Sequence, residues 1–223
     1  MQFRHEWKHC IGPGDYLALR HRLRSVLSPD THANQGRYHI RSLYFDNLED
    51  KALLEKLYGV NNREKFRIRC YNHRYDLIRL EKKSKINGLC SKESALLTPE
   101  QTQQILQGDM EWMVHHPDLL LVEFYSKARS YGLLPKTVVD YDREPFVFAP
   151  GNVRVTLDSN IRTGLTSTDF LNPQLPTLSA AKDMAILEVK YDAFLPDLIR
   201  DLVQLDRART TAFSKYAACR IYG

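Results

Sequence analysis

The sequence predicts an α+β fold, an antiparallel sheet of about eight strands flanked by helices, and three observations support it. Charged and apolar residues alternate with a period of two along many short segments, as in strands whose two faces see different surroundings. Turn residues separate these segments, and stretches between some of them carry apolar residues at helical spacing behind recognisable caps. A hydrophobic content of 43% over 223 residues is enough to build a core around both kinds of element.

The alternation is clearest between residues 64 and 85. Lys65, Arg67 and Arg69 leave one side of a strand together, while Phe66, Ile68 and Cys70 leave the other. After a turn at Asn72-His73-Arg74 the chain returns with Arg79, Glu81 and Lys83 on one face and Ile78 and Leu80 opposite, a hairpin with one charged side. Facing water is the ordinary fate of such a side, so a polyanion site is implied only if other strands repeat the pattern.

The rest of the chain repeats it. A first strand is expected over 3–9, with Arg4, Glu6 and Lys8 on one face. Gly12-Pro13-Gly14 ends it, and Tyr16, Leu19, Leu23, Val26 and Leu27 follow at helical spacing until Ser28-Pro29. A polar loop through Asn34-Gln35-Gly36 leads to an aromatic-rich strand at 38–45, which Asp46-Asn47 ends, and a short helix at 49–57 stops at Gly59. Beyond the hairpin, Asn87-Gly88 signals a tight turn into a strand at 89–96. Thr98-Pro99-Glu100-Gln101 carries the N-cap, first-turn proline and capping-box glutamine of a helix that Gly108 ends. A second helix is expected over 117–131, so that a helical insertion around 98–132 interrupts what otherwise reads as one domain over 1–223.

Strands resume at 136–143, where Thr137, Val139, Tyr141 and Arg143 share a face, and at 153–158, where Arg154, Thr156 and Asp158 do. Pro145 and Pro150-Gly151 are expected to connect them. A loop over 162–177, rich in Thr, Ser and Pro, has the composition of a flexible segment. The last strand, 185–191, sets Glu188 and Lys190 side by side on one face, and helices are expected over 196–205 and 212–221.

A formal net charge of +5 and a pI near 9.0 suit an anionic partner without naming it. The aromatic residues near the basic strands lack RNA-binding spacing, so no nucleic acid is expected. Cys10, Cys70, Cys90 and Cys219 form no CxxC pair and no metal-ligand spacing, which points to a reduced, cytoplasmic setting. With no signal-peptide run and no apolar stretch of bilayer length, a soluble chain with no membrane segment is expected.

An open sheet would let all these charged faces be solvated. A sheet closed on itself would line its lumen with Lys8, Arg67, Arg69, Lys83, Arg143 and Lys190, where a multiply charged anion would offset the cost of uncompensated charge. Glu6, Glu81 and Glu188 lie on the same faces, either as ion-pair partners of these bases or as oxygen ligands for Mg²⁺ or Mn²⁺ beside phosphates. Asp46 and Asp158 are expected to cap or turn strand ends, with Asp158 placed to support Arg154, and Trp7 and Trp112 are expected in the core.

Glu6-Trp7-Lys8, Ser42-Leu43-Tyr44-Phe45-Asp46, Phe66-Arg67-Ile68-Arg69, Leu80-Glu81-Lys82-Lys83, Tyr141-Asp142-Arg143, Val153-Arg154-Val155-Thr156-Leu157-Asp158, Leu187-Glu188-Val189-Lys190 and Phe213-Ser214-Lys215-Tyr216 carry a resemblance. In this order they resemble the motifs of the VTC domain, the polyphosphate polymerase branch of the triphosphate tunnel metalloenzymes in the CYTH-like superfamily. The resemblance implies a closed antiparallel β-barrel tunnel of about eight strands. It also implies a metal-bound triphosphate inside and transfer of the γ-phosphate of ATP to pyrophosphate or polyphosphate.

Carried over position by position, the catalytic residues fall on Lys8, Arg67, Arg69, Lys83, Arg143 and Lys215, with Tyr141 and Ser214 as hydroxyl contacts to substrate. Lys190 and Arg154 share the substrate-facing sides, the metal-binding glutamate falls on Glu188, and Glu6 and Glu81 are further candidate ligands. Arg4 stands where the hydrolytic tunnel enzymes carry the first glutamate of an ExExK pattern, which is closer to the polymerase branch. The chain thus reads as a stand-alone bacterial polyphosphate polymerase. A triphosphatase or nucleoside triphosphate hydrolase of the same fold, and a non-catalytic polyphosphate-binding module, are the rival readings.

Overall fold

The computed structural model describes residues 4–30, 33, 36–205 and 213–221. Its strands are β1 (His5–Ile11), β2 (Ser28–Pro29), β3 (Tyr38–Asp46), β4 (Arg63–Tyr71), β5 (Arg74–Ile86), β6 (Leu89–Leu97), β7 (Leu134–Phe148), β8 (Val153–Thr163), β9 (Leu178–Ser179) and β10 (Ala185–Tyr191). The helices are α1 (Pro13–Val26), α2 (Lys51–Leu57), α3 (Pro99–Gln107), α4 (Leu119–Tyr131), α5 (Asp197–Leu202) and α6 (Lys215–Ile221). Phe3, Asn34, Gln35 and Ala212, which bounded expected elements, lie outside the described residues.

Local chemistry sets most of these boundaries. Asn72 and His73, and again Asn87 and Gly88, take positive φ in the two hairpin turns, the conformation that a two-residue connection between twisted strands requires. Thr98 caps α3 by accepting from the Gln101 N–H at 3.1 Å while the Gln101 side chain returns to the Thr98 N–H at 2.9 Å.

The strands form one antiparallel sheet in the order β1-β10-β8-β7-β3-β4-β5-β6, with β2 beside β7 and β9 beside β8. It curls into a half-barrel and stays open, which corrects the closed barrel implied by the resemblance. Among the described residues the only backbone bridge between the two edges of the sheet is at Arg4 and Cys90, which exchange hydrogen bonds of 3.1 and 3.2 Å. The reason is geometric. Both residues lie at the starts of their described segments, so His5–Ile11 and Leu89–Leu97, antiparallel where they touch, run away from each other, and β1 itself adds no further rung.

The convex face is covered in two halves. Phe66, Ile68, Cys70, Ile78 and Leu80 pack under Ile105, Leu121 and Phe124 of α3 and α4. Leu157, Leu187 and Val189 pack under Leu19 and Leu23 of α1 and Ile199 of α5. Each such side chain contributes roughly 1.5–3 kcal/mol when fully buried, so the sheet is held from outside and its inner face is left to polar groups. The exception is α6, whose Tyr216 and Cys219 pack against Ile40, Tyr44, Val139 and Ile186.

Three local expectations change. β7 runs on through Pro145, which has no N–H for the ladder but whose carbonyl accepts from the Asp30 N–H at 3.2 Å. The Thr/Ser/Pro-rich loop is packed, with Phe170 fully buried and the Ser167 carbonyl bound by the Val138 N–H at 3.2 Å. Trp7 is 36% exposed, because it lies on an edge strand and only its rim meets Tyr191.

Candidate functional site

The inner face carries three connected groups of charged side chains. In the first, β4 and β5 place Arg67 and Glu81 opposite each other in register, and Arg67 donates from Nε and Nη2 to Glu81 Oε2 at 2.8 and 2.6 Å. Its Nη1 reaches the Tyr44 hydroxyl at 2.9 Å. Arg69 donates to Ser42 Oγ at 3.0 Å and to the Tyr141 hydroxyl at 2.9 Å, so strands β3, β4 and β7 are joined by guanidinium groups.

The second group is a checkerboard built by register, since β1 and β10 set Glu6 against Lys190 and Lys8 against Glu188. Lys8 lies 3.2 Å from Glu6 and 3.4 Å from Glu188, Lys190 lies 2.6 Å from Glu188, and Lys83 reaches Glu6 from β5 at 2.8 Å. In the third, Arg143 grips the fully buried Asp158 through two hydrogen bonds of 2.6 and 2.7 Å. Lys215, from the start of α6, meets the same carboxylate at 2.5 Å, with its ammonium 4.6 Å from the Tyr141 ring centroid.

The structure thus brings Lys8, Arg67, Arg69, Lys83, Arg143, Lys190, Lys215, Tyr141 and the glutamates 6, 81 and 188 onto one face. One sequence expectation comes out differently. Arg154 is held by Asp30 at 2.9 Å and the Tyr38 hydroxyl at 2.6 Å, because the register sets Asp158 opposite Arg143 instead. Ser214 Oγ accepts from the Ala217 N–H at 3.3 Å, which caps α6 and so fixes the helix that carries Lys215.

Sequence reasoning missed Ser42 and Tyr44. Both share the parity of Ile40 on β3, but an aromatic-rich strand reads as core until its pairing of Ser42 with Arg69 and Tyr44 with Arg67 is known. It also gave Lys65 no role, although that residue has the parity of Arg67.

The electrostatics show a surplus of positive charge. Burial alone would raise Glu81, yet Arg67, Arg69 and Lys92 hold it well below the usual carboxylate range. Glu188, buried likewise, is held down by Lys190, Lys8 and Arg143, and Asp158 by Arg143 and Lys215. The bases without enough anionic company are lowered too, which for an ammonium means a shift toward the neutral form. Burial and then Lys8 lower the Lys83 ammonium, and burial with Lys83, Arg67 and Lys8 brings Lys65 down to about 7. Several ammonium groups are thus short of negative charge, the condition that a bound polyanion relieves.

No three His, Cys, Asp or Glu side chains converge as a metal cage among the described residues. Glu6 and Glu188, which both reach Lys8, nonetheless offer hard oxygen donors. Such a pair fits Mg²⁺ or Mn²⁺, ions that take one or two carboxylates and complete their shells with phosphate oxygens and water.

Similar folds occur among solved structures. The PH1012 protein of Pyrococcus horikoshii OT3 is 11% identical with a TM-score of 0.52, covering 97% of this chain and 99% of that one. A candidate adenylate cyclase of Bacillus halodurans is 12% identical with a TM-score of 0.51, covering 85% and 80%. A candidate adenylyl cyclase of Hippeastrum, described as having a dominant triphosphatase activity, is 14% identical with a TM-score of 0.50, covering 91% and 84%. At these identities the likeness is one of fold. No curated protein matches the chain in sequence. The VTC domain matches residues 3–221, a span that includes every motif on the charged inner face, and the chain therefore belongs to the VTC domain family.

Proposed function

We propose that this chain is a polyphosphate polymerase. The terminal oxygen of a phosphate, pyrophosphate or polyphosphate acceptor attacks the γ-phosphorus of ATP, the bond from that phosphorus to the β,γ-bridging oxygen breaks, and ADP leaves with the bond electrons. Both reactants are anions, so their repulsion is the main obstacle. Arg67, Arg69 and Arg143 offer forked donors and Lys8, Lys83 and Lys215 compact charges along one face, which lowers that repulsion and aligns the chain of phosphates. Tyr141 holds Arg69 in place through its hydroxyl, and Ser214 holds Lys215 through the α6 cap. A Mg²⁺ or Mn²⁺ ion held by Glu188, with Glu6 or Glu81 beside it, would neutralise phosphate oxygens.

One observation favours transfer to phosphate over hydrolysis. A carboxylate base for water works best with a pKa raised toward the working pH, and Glu6, Glu81, Asp158 and Glu188 are all ion-paired and held below their ordinary values. Arg4, at the position of the missing first glutamate, is engaged by Asp192 at 2.8 Å. A phosphate acceptor is already an anion and needs no base.

The test is product identity. Incubation with ATP, Mn²⁺ and a pyrophosphate primer should release ADP in step with acid-labile polymer. ADP and free phosphate in equal amounts, with no polymer at any primer concentration, would move the assignment to a triphosphate hydrolase. Tight binding of polyphosphate with no ADP at all would make it a binding module.

A further inference from the structure

Lys65 stands on β4 two residues before Arg67, and its ammonium lies 5.2 Å from the centroid of the Tyr44 ring. The Tyr44 hydroxyl in turn accepts from Arg67 at 2.9 Å. Arg67 has Glu81 and Lys83 has Glu6, but Lys65 forms no ion pair among the described residues, and its register partner across the sheet is Lys83. Lys65 also lines a cleft of about 370 Å³ beside α2, shared with Lys51, Arg63, Lys82 and Lys127. The carboxylates of that cleft are spoken for: Glu64 pairs with Lys82 and Lys127, Glu55 with Lys51, and Asp46 accepts from Tyr216.

The groups facing this pair are almost all cationic. Against burial, an ionised Tyr44 raises Lys65, while Lys83, Arg67 and Lys8 lower it, and Arg67, Lys65 and Arg69 lower Tyr44. Burial with these charges brings the Lys65 ammonium down to about 7, and despite burial they bring the Tyr44 phenol down to about 7 as well. On α2, Lys56 is lowered to about 8 by burial and by Arg63, Lys8, Lys85 and Lys83. Lys65 and Tyr44, each the other's nearest counter-charge when both are ionised, thus sit together among cations that disfavour the fully protonated, positively charged pair.

We propose that Lys65 is a phosphate-binding residue on the inner face of the half-barrel, and that the Lys65–Tyr44 pair takes up a proton from solvent as a triphosphate or polyphosphate arrives. The inference rests on the reading of the inner face as a polyphosphate site. The arriving anion supplies the negative charge that the pair lacks, so lysine is held as ammonium against a phosphoryl oxygen and tyrosine as a neutral hydroxyl. The free pair is already protonated well below pH 7, so uptake should be largest above pH 7 and vanish near pH 5.5.

The experiment is calorimetric titration with inorganic tripolyphosphate, in chelator, at pH 8 in buffers of different ionisation enthalpy. This gives both affinity and protons bound per ligand, and comparison with variants cancels the ligand's own protonation. Lys65→Arg, permanently charged, should bind within a few-fold of wild type but take up fewer protons. Lys65→Met should also take up fewer protons and bind about tenfold more weakly. At pH 5.5 the difference in proton uptake between wild type and both variants should disappear. Wild-type binding with both variants unchanged in uptake and affinity overturns the role of Lys65 alone. Failure of the wild type to bind tripolyphosphate overturns the polyphosphate reading and this inference with it.

Discussion

Asp158 is gripped by Arg143 through two hydrogen bonds and met by Lys215 as a second partner, so its burial does not depend on the lysine. Lys215→Ala should therefore keep the fold. If Lys215 neutralises the transferring phosphoryl group, the variant loses roughly 2 to 4 kcal/mol in the transition state, and turnover falls about 30- to 1,000-fold. ATP should still bind through the strand arginines, so single-turnover ADP release must be measured beside equilibrium ATP binding. An equal loss in both would assign Lys215 to ground-state binding instead. The basic residues of this site were legible because parity along a strand follows from the sequence alone. The partner of Asp158 was not, because it depends on which residue of β7 lies opposite, and register is a property of the folded sheet.

At the scale of elements, α2 and α6 are tied together around one strand end. Asp46 accepts from the N–H groups of Ala52 and Leu53 at 2.8 and 3.0 Å and from the Tyr216 hydroxyl at 2.9 Å. Asp50 pairs with Arg220 at 2.8 Å, and the Tyr44 and Tyr216 rings stack at 4.9 Å. This tie positions the helix that presents Lys215. Asp46→Asn should cost about 1–3 kcal/mol by leaving buried donors poorly matched, and Tyr216→Phe about 1 kcal/mol. If the bond between them holds α6, the double variant should lose clearly less than the sum, measured by chemical denaturation. Strict additivity would mean that packing alone places the helix. Elements set by neighbouring residues, such as the Asn87-Gly88 turn and the Thr98 capping box, were legible in the sequence. The course of β7 through Pro145, the packing of Phe170 and the seat of α6 inside the sheet depend on distant partners, and no local pattern announces them.

For the molecule as a whole, the alternation predicted faces correctly but could not predict closure, which depends on how strand ends overlap around the sheet. Among the described residues the seam between β1 and β6 has a single backbone bridge, and side chains add to it: Glu6 accepts from Lys83 at 2.8 and 2.9 Å and from the Cys90 thiol at 3.4 Å. Glu6 is also the carboxylate that Lys8 and Lys190 share with Glu188. Glu6→Gln should therefore unpair Lys83 across the seam, a loss of about 3 kcal/mol for a largely buried pair. In a chain of this size that lowers Tm by about 6 to 12 °C. The pH dependence separates this from a packing defect. Burial would raise Glu6, but Lys83 and then Lys8 hold it below its ordinary value of 4.5, so the folded pKa lies under the unfolded one. Its stabilisation is then complete above the unfolded value and lost as pH falls toward the folded one. The Tm gap between wild type and variant, measured in chelator, should be full at pH 7 and narrow steadily below about pH 4. Tripolyphosphate at pH 7 should narrow it as well, by supplying Lys83 with another anion. A gap that neither acid nor tripolyphosphate changes would show that the seam is held by packing, with its ion pairs contributing nothing.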